Sequence, residues 1–184
     1  MPDGVSDEAS SGHGSVRPAL VQALLAVVLL AAVGVVAGVV WEWLWTPPTG
    51  VVVDHRWTAV DEASLRGQFT ATGWYVVVGG VAGLVGGALA ALLLDRAPLV
   101  TLAGVVVGSA LGAWLMYLVG RALGPGDPVA AARAAKEGAH LPAALTVSGA
   151  SPFIALPTGA LVALSLVFIG LSAAHRSSGA DPVA

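Results

Sequence analysis

Four long apolar runs, at about 20–44, 74–94, 98–120 and 153–173, alternate with polar stretches along the chain. The apolar residues in them follow neither period 2 nor period 3.6 but are nearly continuous. At ~1.5 Å per residue, runs of ~20 residues match a hydrocarbon core ~30 Å thick. This pattern predicts an all-α membrane protein with four transmembrane helices. The first run exceeds the ~7–15 apolar residues of a signal peptide, and Trp41-Glu42-Trp43 stands where a small-residue cleavage site would fall, so the run is expected to be retained. Between the second and third runs, Asp95-Arg96-Ala97 is a minimal break, which makes these spans antiparallel neighbours, and Pro98 suits a first helical turn.

The polar stretches divide into two tails and two long connections. Residues 1–18 and 175–184 carry no apolar periodicity and are expected to be disordered, leaving 19–174 as one four-helix domain. In the connection 45–72, Val51-Val52-Val53 and Trp57-Thr58-Ala59-Val60 flank Asp54-His55-Arg56, which predicts a small hairpin. In the connection 121–151, Asp127 is placed to cap a helix that begins at Pro128 and covers Ala130 to Lys136. Leu145-Thr146-Val147 reads as a further short strand that joins the hairpin. Ser151-Pro152 repeats the cap-and-proline signal ahead of the fourth span, in whose first turns Pro157 either kinks the helix or is tolerated. Together the two connections form a small cap of short strands and one short helix.

Composition agrees with membrane residence. The chain is 57% hydrophobic and 10% charged, against about 25% charged for an ordinary soluble domain. A net charge of −3 and a single lysine, Lys136, leave no basic stripe for phosphates, which excludes nucleic acid as a partner. Cysteine is absent, and with it disulfides and thiolate chemistry.

Within the spans the informative residues are glycine and tryptophan. Gly79, Gly83 and Gly87 in the second span, and Gly104, Gly108 and Gly112 in the third, form tandem rows four residues apart. In lipid, helices associate by van der Waals packing, so such rows mark contact faces, here expected between the second and third spans. Gly34 and Gly38 give the first span one such pair; Ala155, Gly159 and Ala163 give the fourth a weaker one. Trp41, Trp43, Trp45, Trp74 and Trp114 cluster toward the long connections and are expected to anchor the chain at the membrane surface. Proton relays and ion paths need ionisable side chains deep in a span, and no span has one near its centre. Glu42 lies among tryptophans at the surface, and Arg121 ends the third span with its guanidinium reaching the headgroups.

In the connections, Asp54, His55, Asp61, Glu62, Glu137 and His140 should face one side, but no two have a metal-ligand spacing such as HxxxH. Neither GxSxG nor a comparable nucleophile element occurs, and Ser64 near His55 reads as ordinary loop composition. The expectation is therefore no catalytic residue, no metal and no cofactor.

Several of these marks carry a resemblance: Val51 to Asp54, Phe69 to Trp74 leading into the glycine-rich second span, Leu123-Gly124-Pro125, the run from Asp127 to Ala135, and Pro157. Across most of 20–172 the chain resembles an uncharacterised actinobacterial family of four-span integral membrane proteins, a domain of unknown function. Where that family has an acidic residue before the glycine opening the second span, this chain has Thr72-Gly73. The resemblance implies a plasma-membrane protein with both tails and the Asp95-Arg96 turn in the cytoplasm and the cap exported. Counting basic residues gives the opposite sense: Arg17, Arg96 and Arg176 on the tail side against Arg56, Arg66, Arg121, Arg133 and Lys136 on the cap side. The leading functional expectation is a non-enzymatic multi-pass plasma-membrane protein that serves as an accessory or assembly partner in the cell envelope, its partners being the lipid bilayer and another membrane or envelope protein, or a second copy. The alternatives are an oligomeric transporter or channel subunit, assembled on the glycine faces with Thr101 and Ser109 in its pore, and a membrane enzyme acting on envelope substrates.

Overall fold

A computed structural model describes residues 16–94 and 97–178. Four long helices carry a small cap at one end: α1 (Val16–Leu44), β1 (Thr49–Val53), β2 (Arg56–Ala59), α2 (Glu62–Leu93), α3 (Pro98–Leu123), α4 (Pro128–Ala134), β3 (His140–Pro142), a 3-10 turn (Ser151–Ile154) and α5 (Ala155–Ser178). The four windows Arg17–Leu44, Phe69–Leu93, Pro98–Ala134 and Ser151–Gly170 are each long and apolar enough to cross a membrane. Most of the expected N-terminal tail (1–15), the Asp95-Arg96 break and the end of the C-terminal tail (179–184) lie outside the described residues.

Helix ends follow local chemistry. Asp61 stops the β-hairpin and starts α2, its carboxylate accepting from the Ser64 amide and hydroxyl, each at 2.7 Å. This places the start of α2 at Glu62, twelve residues before the 74 expected from hydropathy, with the helix's first three turns standing outside the apolar run. Hydropathy misses such turns because they are polar; the side-chain cap decides the boundary. Likewise α5 continues to Ser178, into the expected tail. Asp127 caps α4 through the Val129 amide at 2.9 Å, with Pro128 in the first turn.

The packing partners differ from the expected ones. α1 packs most extensively on α3 and α2 on α5, while α2 and α3 touch little. Both close pairs are parallel, since α1 and α3 run toward the cap and α2 and α5 away from it. The glycine rows do form the contacts, but against other helices. A Cβ on Gly83 would strike the Leu156 carbonyl, and one on Gly87 the Ala160 backbone. Reciprocally, one on Gly159 would strike the Gly80 carbonyl. Gly104, Gly108 and Gly112 lie on Ala23, Val27 and Leu30 of α1. A short turn brings two helices close only at one end; a long contact forms wherever two small-residue faces match, and here each row meets a face on a non-consecutive helix.

At the cap end, the buried cluster of Trp41, Trp45, Ala71, Tyr75, Met116, Leu145 and Leu156 fills the space among all four helices. A second buried group at the other end includes Leu30, Ala90, Val105, Ala160 and Leu164. The cap sheet has the order β2-β1-β3, all antiparallel. Its third strand is 140–142, not 145–147 as the β-prone run suggested. Leu145 instead inserts, fully buried, into the cap-end cluster, where its burial outweighs strand pairing.

Candidate functional site

The cap and the layer beneath it hold most of the charged side chains and the only dense aromatic cluster among the described residues. Asp54 and His55 form the two-residue loop between β1 and β2, both at positive φ (51° and 56°), a turn that usually recruits Asn or Gly. Glu137, just before β3, compensates: its carboxylate accepts the Asp54 amide at 3.1 Å and the His55 amide at 2.9 Å. The His55 Nδ1 lies 3.8 Å from the same carboxylate, both side chains being exposed. Trp57 crosses β1 to donate its indole N–H to the Leu141 carbonyl at 3.0 Å, and its ring covers Gly50, where no side chain fits. The Ala143 amide donates to the Pro48 carbonyl, and the Ser148 amide to the Thr72 hydroxyl. These bonds make the two connections one ordered unit.

Below the cap runs an aromatic layer. Trp41 meets Tyr75 edge to face at 5.0 Å; Tyr75 meets Phe153 at 5.3 Å; Phe153 reaches Tyr117 at 5.5 Å and Trp114 at 6.2 Å. Its polar atoms are tied inward. The Trp41 indole donates to the Ala71 carbonyl at 2.8 Å, and the Tyr75 hydroxyl to the Ala113 carbonyl at 2.7 Å. At the outer rim Arg121 donates to the Tyr117 hydroxyl at 3.0 Å.

The expected tryptophan anchors therefore split into two groups. Trp41 and Trp45 are buried and turned toward α2, Trp45 donating to the Gly67 carbonyl at 3.4 Å, so they fasten α1 to α2. Trp43, Trp74 and Trp114 are exposed at 80%, 36% and 52%, although Trp74 also lines a cleft against α1 and Trp114 also meets Phe153. Neighbouring residues on one helix separate in this way because successive positions differ by ~100°.

Thr101 and Ser109, the hydroxyls that would line a pore under the channel alternative, are fully buried and engaged within the bundle. Ser109 donates to the Val106 carbonyl, while Thr101 donates to the Leu94 carbonyl at 2.7 Å and accepts from Gln22 at 2.7 Å. Gln22 also donates to the Leu94 carbonyl at 2.9 Å. This polar knot ties α1 to the end of α2 and the start of α3. Gln22 is not ionisable, so a test for proton relays or ion paths does not single it out; its signal in the sequence is the one side-chain amide of the run 20–44.

Ser64 is not loop but the first turn of α2, where its hydroxyl lies 3.0 Å from the Thr49 carbonyl and joins helix to sheet. Asp61 is exposed, and the Ser64 hydroxyl followed by the Ser64 amide holds its carboxyl below its ordinary value of 3.8. Of the acidic and histidine residues of the cap, His55, Asp54 and Glu137 meet at the hairpin tip. Asp61 and Glu62 sit at the start of α2, Glu62 pairing with Arg66 at 2.8 Å, and His140 pairs with Val51 in the sheet. Among the described residues no three His, Asp or Glu side chains converge as a metal would require. A cleft of about 570 Å³, lined by apolar residues from Leu29 to Leu44 and from Trp74 to Val85, opens sideways between α1 and α2. No protein-family model, curated protein or solved structure matches this chain.

Proposed function

We propose that the protein is a non-enzymatic, multi-pass plasma-membrane scaffold that presents its cap to an envelope partner. The observation that carries this is the closed bundle interior. At the cap end Trp41, Tyr75, Met116, Leu145 and Leu156 fill the axis, and all buried side-chain nitrogens and oxygens among the described residues have hydrogen-bond partners. The glycine faces on which an oligomeric channel would assemble are occupied by intramolecular contacts, and Thr101 and Ser109 are held inside the bundle. The cap, by contrast, is braced on both connections and exposes its hairpin tip. Its rigidity favours a recognition surface, since a preorganised surface loses less entropy on binding.

The resemblance of residues 51–54, 69–74 and 123–135 to an actinobacterial four-span group is the ground for placing both tails in the cytoplasm and the cap outside. Single cysteines at Ser11 and Ser148 test this in a chain that has none. In intact cells a membrane-impermeant maleimide should label Ser148→Cys alone. Labelling of Ser11→Cys alone would reverse the orientation, in the sense of the arginine count. Ser64 is unsuitable for such a probe, being buried against Thr49. The scaffold role itself is tested by photo-crosslinkers placed at the cap residues His55 and Glu137, with Leu166 on the opposite part of the bundle as control. A discrete adduct from the cap positions only is expected. Ion or solute flux through proteoliposomes of the purified protein would refute the reading.

A further inference from the structure

We infer that Arg121, Tyr117 and Trp114 form a seat for the phosphate of an anionic phospholipid in the leaflet on the cap side, a reading that rests on the membrane-spanning role proposed above. Arg121 is exposed in the last turn of α3, and its guanidinium donates to the Tyr117 hydroxyl one turn back. Helical side chains lean toward the N-terminus, which on α3 is toward the apolar run. The depth is right for a headgroup. Tyr117 is nineteen residues beyond Pro98, ~29 Å along the helix, where a hydrocarbon layer ~30 Å thick ends.

The charge is also available. Among the described residues the ion pairs are His55 with Glu137 and Arg66 with Glu62, and no carboxylate pairs with Arg121. Arg66 differs in this respect: its guanidinium turns to Glu62, away from the apolar run. Beside Arg121 lies an apolar ledge. Trp114, two turns earlier on the same face of α3, is half exposed, meets Tyr117 at 6.0 Å, and continues into Phe153 and the exposed Ile154. A guanidinium has five donors and Tyr117 uses one, leaving a planar fork for phosphate oxygens. An anionic phospholipid satisfies both halves of the site, phosphate at the fork and acyl chain along the ledge, whereas a zwitterionic lipid brings its own cation to the same place.

The test uses the full chain in vesicles of phosphatidylcholine mixed with phosphatidylglycerol, extracted in mild detergent, with the retained lipids measured by mass spectrometry. The wild type should retain phosphatidylglycerol enriched severalfold over the bulk mixture. Arg121→Gln should return the ratio to bulk, Arg121→Lys should keep part of the enrichment, and Arg133→Gln, which removes equal charge from α4, should behave as wild type. Equal enrichment in wild type and Arg121→Gln overturns the proposal, as does an equal loss in Arg133→Gln. If Arg121→Gln leaves the lipid ratio unchanged but dissociates an oligomer or a protein complex, a protein carboxylate occupies the site and the proposal fails. A wild type that stays monodisperse without detergent and does not enter vesicles would instead overturn the membrane reading itself.

Discussion

Gly34 of α1 and Gly112 of α3 meet backbone to backbone: a Cβ on Gly34 would fall on the carbonyl group and Cα of Gly112. Each removes the side chain that would hold the other helix away, and the Leu30 carbonyl lies 2.5 Å from the Cβ position of Gly112. Replacing Gly112 or Gly83 by Leu should therefore destabilise the protein by at least the ~1–3 kcal/mol of an overpacked core. Gly73 and Gly126 have open space around their Cβ positions, and alanine there should leave detergent melting nearly unchanged. Equal melting of Gly112→Leu, Gly83→Leu and wild type would reject this packing.

Helix partners can be read by crosslinking. The Cβ position of Gly79 lies 3.8 Å from the Cβ of Ala155, within the ~3.5–4.5 Å range of a disulfide. The double variant Gly79→Cys, Ala155→Cys should oxidise readily. Gly83→Cys with Gly108→Cys, the pairing expected if α2 and α3 shared their glycine rows, should give no bond. The reverse pattern on non-reducing gels would restore an α2–α3 interface.

The cap depends on Glu137. Glu137→Ala removes the acceptor of the Asp54 and His55 amides, and both should exchange hydrogen faster while the Val52 amide, bonded to the Ala139 carbonyl, remains protected longer. Replacing Asp54-His55 by Asn-Gly should stabilise the hairpin by up to ~1 kcal/mol, because those residues tolerate positive φ. Unchanged exchange in Glu137→Ala would remove the carboxylate from any role at the tip.

Trp41 offers a test of burial against anchoring. Trp41→Phe keeps the ring packing against Tyr75 but loses the bond to Ala71, at a cost of ~1 kcal/mol, whereas Trp41→Ala should cost ~3–5 kcal/mol. Trp43→Ala, at an exposed position, should change melting far less. Equal effects at both positions would place Trp41 at the surface.

Stability should depend on pH through Asp61. Its carboxyl is held below the ordinary value of 3.8, so the folded state favours the charged form. The resulting stabilisation is fully present above that value and is lost as pH falls below it through the lowered folded value. Asp61→Asn keeps a capping oxygen without titrating. The melting difference between wild type and Asp61→Asn should therefore shrink on acidification from neutral pH to below 3.8; a difference that is constant across that range would exclude the effect.

Much of the architecture is set by local composition. Continuous apolar runs of helix length leave little alternative to four long helices, and Asp127-Pro128 fixes the start of α4 because cap and proline act within one turn. The hairpin follows from β-prone residues on either side of Asp54-His55. The glycine rows were legible as contact faces, since spacing alone puts them on one side of a helix. Their partners were not. Whether Gly83 meets α3 or α5 depends on how four cylinders arrange, and any small-residue face can satisfy the same row. Leu145 was likewise ambiguous, because a β-prone residue and a buried plug look alike until the open end of a bundle is there to receive it. Glu137 and the hairpin tip are 82 residues apart, and Gln22 and Thr101 are 79. Hydrogen bonds at that range join groups that only the folded chain brings within ~3 Å, so tertiary structure alone decided them.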